Sequence, residues 1–163
     1  MNVEKARESQ RTPMGVRLVL LGGYVQVAGA ALAVLAAVAQ GRTDWLVFQQ
    51  WVFIVNVVVL AATATVLLRA GRGRAATSLG GFFLVSATSF AAAIYMSSVT
   101  AGALGPVVGY VLGALRIEAF LPYFLFAFVS VFPVAAVPAR LAWVLEKGTL
   151  AAAVVGCALT AIN

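Results

Sequence analysis

The sequence contains no histidine, one cysteine and few charged residues. Only 10% of the residues are charged, whereas a soluble domain has about 25%. The absence of histidine excludes histidine-based catalytic triads, histidine-ligated metal or haem sites and a histidine switch near neutral pH. The single cysteine, Cys157, cannot form a disulfide within the chain, and its apolar surroundings predict a small buried side chain.

Hydrophobic residues are correspondingly abundant. They make up 63% of the chain, against roughly 45–50% in a soluble domain. Because a helix needs about 20 apolar residues to cross the bilayer core, a chain of 163 residues allows about five crossings. This composition excludes a disordered chain, a disulfide-rich secreted module and an ordinary cytosolic enzyme. We therefore predict an all-α, polytopic membrane protein whose partner is the lipid bilayer.

The apolar runs predict four transmembrane helices and a fifth, shorter one. A basic N-terminal segment, residues 1–17, precedes a single transmembrane domain at 18–163. The predicted spans are about 18–39, 45–68, 76–99, 119–137 and 149–163. The last run would form only about 22 Å of helix, less than the roughly 30 Å of the core. It is therefore either tilted or incomplete, and we favour a chain that is truncated at its C-terminus.

Residues 101–115 are apolar but rich in glycine. Gly105, Gly109 and Gly113 are spaced four residues apart, which places them on one face and allows another helix to approach closely. We predict a short helix at the outer surface, because a span needs about 20 residues and this segment is shorter. The alternative is that 101–115 crosses the membrane.

Positive charge predicts the orientation. With a cytoplasmic N-terminus, the inside segments hold nine Lys and Arg residues: four in 1–17, three in 69–74 and two in 138–148. Arg42 and Arg116 lie outside, and a spanning 101–115 would change this ratio to eight against three. We therefore predict a multi-pass protein of the bacterial inner membrane with its N-terminus in the cytoplasm. The positive charge is an orientation signal here rather than a surface for nucleic acid.

The first run also allows a different interpretation. It ends in Ala37-Val38-Ala39, a pattern of small residues like a signal-peptidase site. A cleaved signal has an apolar stretch of about 7–15 residues, which this run exceeds. We therefore predict a retained helix.

Polar residues in or beside the runs are the candidates for function. Arg116 and Glu118 precede the fourth run, and an ionisable group within a span marks a functional site because burial in lipid costs about 2.5–3.5 kcal/mol. At the outer headgroup level, the position that we favour, most of this cost disappears. Gln26 and Asn56 predict contacts between helices. No catalytic, cofactor-binding or metal-binding residue is assigned, and no cofactor is expected.

Two further patterns predict helix packing. Small residues recur every four positions at Gly29, Ala33 and Ala37, and at Ser89, Ala93 and Ser97. Such faces allow a homodimer to form. Phenylalanine recurs in the same way at 120, 124, 128 and 132, which is typical of a packing or lipid-facing ridge. An apolar ligand slot between this ridge and the glycines of 101–115 is the alternative.

The stretch from Leu115 to Phe124, continuing to Phe132-Pro133 and Arg140, carries a family resemblance. Over about 75–145 the chain resembles the multi-helix N-terminal membrane regions of bacterial sensor histidine kinases and PP2C-type phosphatases. The resemblance implies a sensor or anchor region without catalytic chemistry of its own. Any kinase or phosphatase activity would lie in an output domain outside these 163 residues.

A second hypothesis comes from another class of protein. The chain would be a small, self-contained transporter or channel subunit that acts as an oligomer. Its water-accessible path would be lined by polar residues of the spans, namely Asn56, Gln26, Ser89 or Glu118. A membrane enzyme is a third interpretation, which the small number of ionisable residues disfavours.

Overall fold

The computed structural model describes residues 13–41, 43–44, 46–70, 73–100, 116–131 and 138–162. Within this part of the chain every regular element is a helix. The helices are α1 (Met14–Ala39), α2 (Phe48–Ala70), α3 (Arg74–Thr100), a 3-10 turn (Ile117–Phe120) that continues into α4 (Leu121–Val129), and α5 (Ala139–Ile162).

Proline and glycine define several of the helix ends. Pro13 and Pro138 directly precede α1 and α5, and Pro122 lies in the first turn of α4, where the missing N–H costs no helical hydrogen bond. Gly41 follows α1 with a φ of 69°, a left-handed conformation that only glycine adopts without strain. These positions set where the apolar runs become helices.

Among the described residues, four helices are long and apolar enough to cross a membrane: α1, α2, α3 and α5. The 3-10 turn and α4 together form a shorter apolar segment, Ile117–Val129. Its 13 residues reach about 20 Å, which is less than the roughly 30 Å of the bilayer core. The predicted all-α, polytopic membrane fold is confirmed.

The last two helices differ from their predicted bounds. The fourth span was expected over 119–137, but α4 ends at Val129 and residues 132–137 lie outside the described part. α5 begins at Ala139, ten residues before the predicted start of the fifth span, and has 24 residues. It reaches about 36 Å, which is long enough to cross the core. The predicted helix of 101–115 also lies outside the described residues.

α3 is the central helix of the bundle. Half of its apolar stretch (50%) is buried, against 17% for α1, 11% for α2 and 6% for α5. In the C-terminal half of α3, Ala91, Ile94 and Tyr95 form a buried cluster with Ala30 of α1 and Val57 of α2. α1 runs parallel to α3, whereas α2 runs antiparallel to both.

α4 packs against the N-terminal half of α3. Phe124, which is 1% exposed, lies in a buried cluster with Val16, Val85, Ile117 and Tyr123. Its ring covers the backbone at Gly81, where a Cβ atom would overlap the ring. The phenylalanine ridge is therefore a packing ridge at this position. α5 contacts α4 and the 3-10 turn more than it contacts α1 or α2.

Candidate functional site

Arg116 and Glu118 lie on either side of Ile117, which is buried. Ile117, between them, packs so closely on α1 that a Cβ atom at Gly22 would come 2.8 Å from Ile117 Cδ1. Gly22 is about 12 Å from the start of α1 at Met14 and about 25 Å from its end at Ala39. The sequence favoured the outer headgroup level for this pair, whereas this contact places Ile117 nearer the start of α1 than its end.

The two charged side chains form an ion pair at this depth. Arg116 Nη1 lies 3.4 Å from Glu118 Oε1, with 54% and 28% of the side chains exposed. Each ion alone would pay a large desolvation cost in hydrocarbon, and their mutual attraction offsets part of it. The exposed remainder of both groups needs a further polar neighbour, such as water, a headgroup or a ligand. This requirement makes the pair the candidate site.

The backbone of Arg116 also connects the site to α5. The Cys157 thiol donates a hydrogen bond to the Arg116 carbonyl oxygen, with a sulfur–oxygen distance of 3.3 Å. Cys157 is half-buried rather than fully buried. The predicted small hydrophobe thus has a polar contact, between residues 41 positions apart in the chain.

A second polar cluster lies where the start of α3 meets α5. Arg74, the first residue of α3, donates a hydrogen bond from Nη2 to Glu146 Oε2 of α5. The Tyr123 hydroxyl lies near the same carboxylate. We call Arg74, Tyr123 and Glu146 the α5 anchor, because together they join α3, α4 and α5.

The α5 anchor was not predicted from the sequence. Arg74 and Glu146 are separated by 72 positions, and both lay in segments predicted as links between spans. Proximity over this distance depends on the path of α4. The sequence signal that could have indicated it is the carboxylate of Glu146, because an acidic residue beside a predicted span needs a partner.

The other predicted polar residues do not assemble into one path. Gln26 of α1 is 3% exposed, and its backbone carbonyl oxygen accepts a hydrogen bond from the Tyr95 hydroxyl at 3.2 Å. Asn56 Nδ2 donates to Val52 O within α2 at 2.8 Å, which is a contact inside one helix rather than between two. Ser89 is exposed on α3. α2 packs mainly against α3, so Asn56 and Glu118 are on different sides of the bundle.

The closest helix contacts use glycines that the four-residue patterns did not include. A Cβ atom at Gly23 would come 3.0 Å from Leu84, and one at Gly80 would come 2.7 Å from Leu68. Together with Gly22 and Gly81, these positions form two Gly-Gly pairs in the apolar runs. Among the small residues predicted to recur every four positions, Ala33 packs against the buried cluster that contains Tyr95, whereas Ser89 is exposed. The glycine pairs were the better signal.

The helices and their two polar clusters define an integral membrane protein of the all-α, multi-pass class. No family model, curated protein or solved structure matches the chain. Within the described residues, no three His, Cys, Asp or Glu side chains are grouped so as to hold a metal ion. Function must therefore be inferred from the charged pair, the α5 anchor and the packing around them.

Proposed function

We propose that the chain is a sensor or anchor region of a bacterial inner-membrane signalling protein, without catalytic chemistry of its own. The observation that carries this proposal is the way in which α5 is attached. Only 6% of its apolar stretch is buried, so apolar packing holds it weakly. Its polar contacts are the α5 anchor at one level and the Cys157–Arg116 hydrogen bond at another.

Such an attachment suits a helix that moves in response to a signal. A cue that binds Arg116 or Glu118 would act on α5 through the hydrogen bond between Cys157 and the Arg116 backbone. A cue that neutralises Glu146 would release the α5 anchor. In both cases the cue shifts an equilibrium between two positions of α5, as a sensor requires. A homodimer through the small-residue helix faces remains part of this proposal.

The experiment measures the distance between spin labels on α3 and α5 in nanodiscs. The labels replace the exposed Ser89 and Val154 in a Cys157→Ser background, where the serine hydroxyl can still donate to Arg116 O. We expect one narrow distance distribution for the parent. Glu146→Gln should broaden it or add a second distance, and the exchange Arg74→Glu with Glu146→Arg should restore it. Lys147→Gln, an exposed neighbour, is the matched control.

A distribution that stays unchanged in Glu146→Gln would contradict a movable α5. A distribution that broadens equally in Lys147→Gln would show that charge loss, rather than the α5 anchor, controls the helix. Either result would remove the structural basis for sensing.

A transporter or channel subunit is the second candidate, because an ion pair lies within the bundle beside a helix that is too short to span. Charged groups and interrupted helices at this depth are typical of substrate and ion pathways. Proteoliposomes that report proton and potassium flux test it. Flux that Glu118→Gln abolishes and Arg140→Gln, at the exposed start of α5, preserves would support transport. Flux equal to that of protein-free liposomes for both ions would contradict conduction of these ions.

A further inference from the structure

One end of the bundle collects exposed positive charge. The antiparallel packing brings the starts of α1, α3 and α5 and the end of α2 to this end, which we call the basic end. Its described cations are all exposed: Arg17, Arg69, Arg74, Arg140 and Lys147. Glu146 is the one carboxylate among the described residues there. At the opposite end, Asp44 is the charged residue that the described part contains.

An exposed tryptophan lies among the charges of the basic end, which indicates the depth of lipid headgroups. Trp143, which is 62% exposed, lies on α5 between Arg140 and Lys147, and exposed tryptophan is enriched at the membrane–water interface. Arg69 and Arg74 lie at the adjoining ends of α2 and α3, and only 71–73 separates these helices. Cations at this level meet the phosphates of the neighbouring leaflet rather than bulk solvent.

Arg74 has capacity for a second acceptor. Its guanidinium carries five N–H donors in a planar fork, and its side chain is 56% exposed although it pairs with Glu146. Arginine forks match the geometry of phosphate oxygens, which they bind with two parallel hydrogen bonds. A phosphate at this position would compete with the Glu146 carboxylate for the same fork.

We infer that the basic end binds the headgroup of an anionic glycerophospholipid, with Arg69 and Arg74 as its main contacts. The lipid phosphate bridges the adjoining ends of α2 and α3, and Glu146 limits its affinity by occupying part of the Arg74 fork. This inference concerns lipid recognition and does not depend on a signalling role for the chain.

The test uses native mass spectrometry of the full chain in neutral detergent with equal amounts of phosphatidylglycerol and phosphatidylcholine. The wild type should retain phosphatidylglycerol in preference. The double variant Arg69→Gln/Arg74→Gln should reduce the ratio of retained lipids by roughly 30-fold, since each cation near the surface contributes about fivefold. The control Arg42→Gln removes one positive charge between α1 and α2 in the chain and should leave the ratio unchanged.

A variant that gains lipid binding is also needed, because misfolding can explain a loss of binding but not a gain. Glu146→Gln removes the competing carboxylate and should raise the ratio about fivefold. The inference is overturned if the wild type retains both lipids equally, or if Arg42→Gln lowers the ratio as far as the double variant does. A ratio that stays unchanged or falls in Glu146→Gln also overturns it, because the phosphate would then not share the Arg74 fork.

Discussion

At the scale of single residues, the contact between Gly81 and Phe124 fixes α4 on α3. Phe124 is 1% exposed, and its ring occupies the space that a side chain at Gly81 would need. Without a hydrophobic effect between helices in lipid, association depends on close van der Waals packing, which small residues allow. The position of the α5 anchor follows from this contact, because Tyr123 is the preceding residue of α4.

We predict that Gly81→Ala destabilises the protein by about 1–3 kcal/mol, the usual cost of overpacking. Thermal unfolding in detergent measures the change. Gly156→Ala is the matched control, since a Cβ atom at Gly156 on α5 meets nothing within 4 Å. In a Phe124→Ala background the Gly81→Ala substitution should lose most of its effect. Equal stability of the Gly81→Ala and Gly156→Ala proteins would show that the ring does not pack against this backbone.

The sequence predicted the residue types at the contacts better than their positions. The phenylalanine ridge was expected to pack against another helix or to face lipid, and Phe124 packs. The glycines on which it packs were not singled out, because the repeat of four favoured Gly29, Ala33 and Ala37 over the adjacent pair Gly80-Gly81. A single chain does not reveal which small face a distant aromatic residue will contact.

At the scale of helices, the charges near the start of α5 explain why its beginning was placed too late. Arg140, Glu146 and Lys147 interrupt the hydropathy, so the predicted span began after them. In the structure Glu146 pairs with Arg74 on α3, while Arg140 and Lys147 are exposed. Paired or headgroup-level charges are compatible with the first turns of a membrane helix. Hydropathy alone does not predict the ion pair between Arg74 and Glu146.

α1 and α2 contact each other little, and a hydrogen bond joins them. Tyr24 Oη lies 2.9 Å from Thr65 Oγ1. Since the Thr65 hydroxyl already donates its only hydrogen to Ala61 O at 2.7 Å, Tyr24 is the donor. This bond supports a helix pair whose packing is otherwise provided through α3.

We expect the Tyr24–Thr65 bond to couple the two helices by about 0.6 kcal/mol and at most about 1.7 kcal/mol, the range for such bonds in membranes. A double-mutant cycle of Tyr24→Phe and Thr65→Val measures this coupling by unfolding in detergent. Thr63→Val replaces a hydroxyl that donates to Val59 O in its own helix, at 2.8 Å. Paired with Tyr24→Phe, this control should show no coupling. A coupling of zero for Thr65 as well would mean that the bond does not hold α1 to α2.

At the scale of the whole molecule, the all-α class and three of the four long helices among the described residues followed from composition and run length. Three predicted spans correspond to α1, α2 and α3 within four residues at each end. The position of Arg116 and Glu118 did not follow, because it depends on which helix Ile117 packs against. Local hydropathy describes each segment separately, whereas depth is set by contacts such as Ile117 on Gly22.

The cations of the basic end also lead to a prediction for the orientation of the molecule. Positive residues stay on the cytoplasmic side during insertion, so the basic end should face the cytoplasm and the N-terminus with it. In a Cys157→Ser background, Gly41→Cys should react with a membrane-impermeant maleimide in intact spheroplasts, because Gly41 follows α1 at the opposite end. Ala70→Cys, the last residue of α2, should react only after permeabilisation.

The two labelling sites make this orientation test self-controlled. Gly41 and Ala70 are both exposed and lie at opposite ends of the bundle, so reagent access differs only by side. Reaction of Ala70→Cys in intact cells, with protection of Gly41→Cys, would reverse the orientation. The basic end would then face outward, and its arginines would meet the outer leaflet. Because the exposed cations and Trp143 would still lie at headgroup level, lipid binding by the basic end would survive this reversal, whereas the cytoplasmic N-terminus would not.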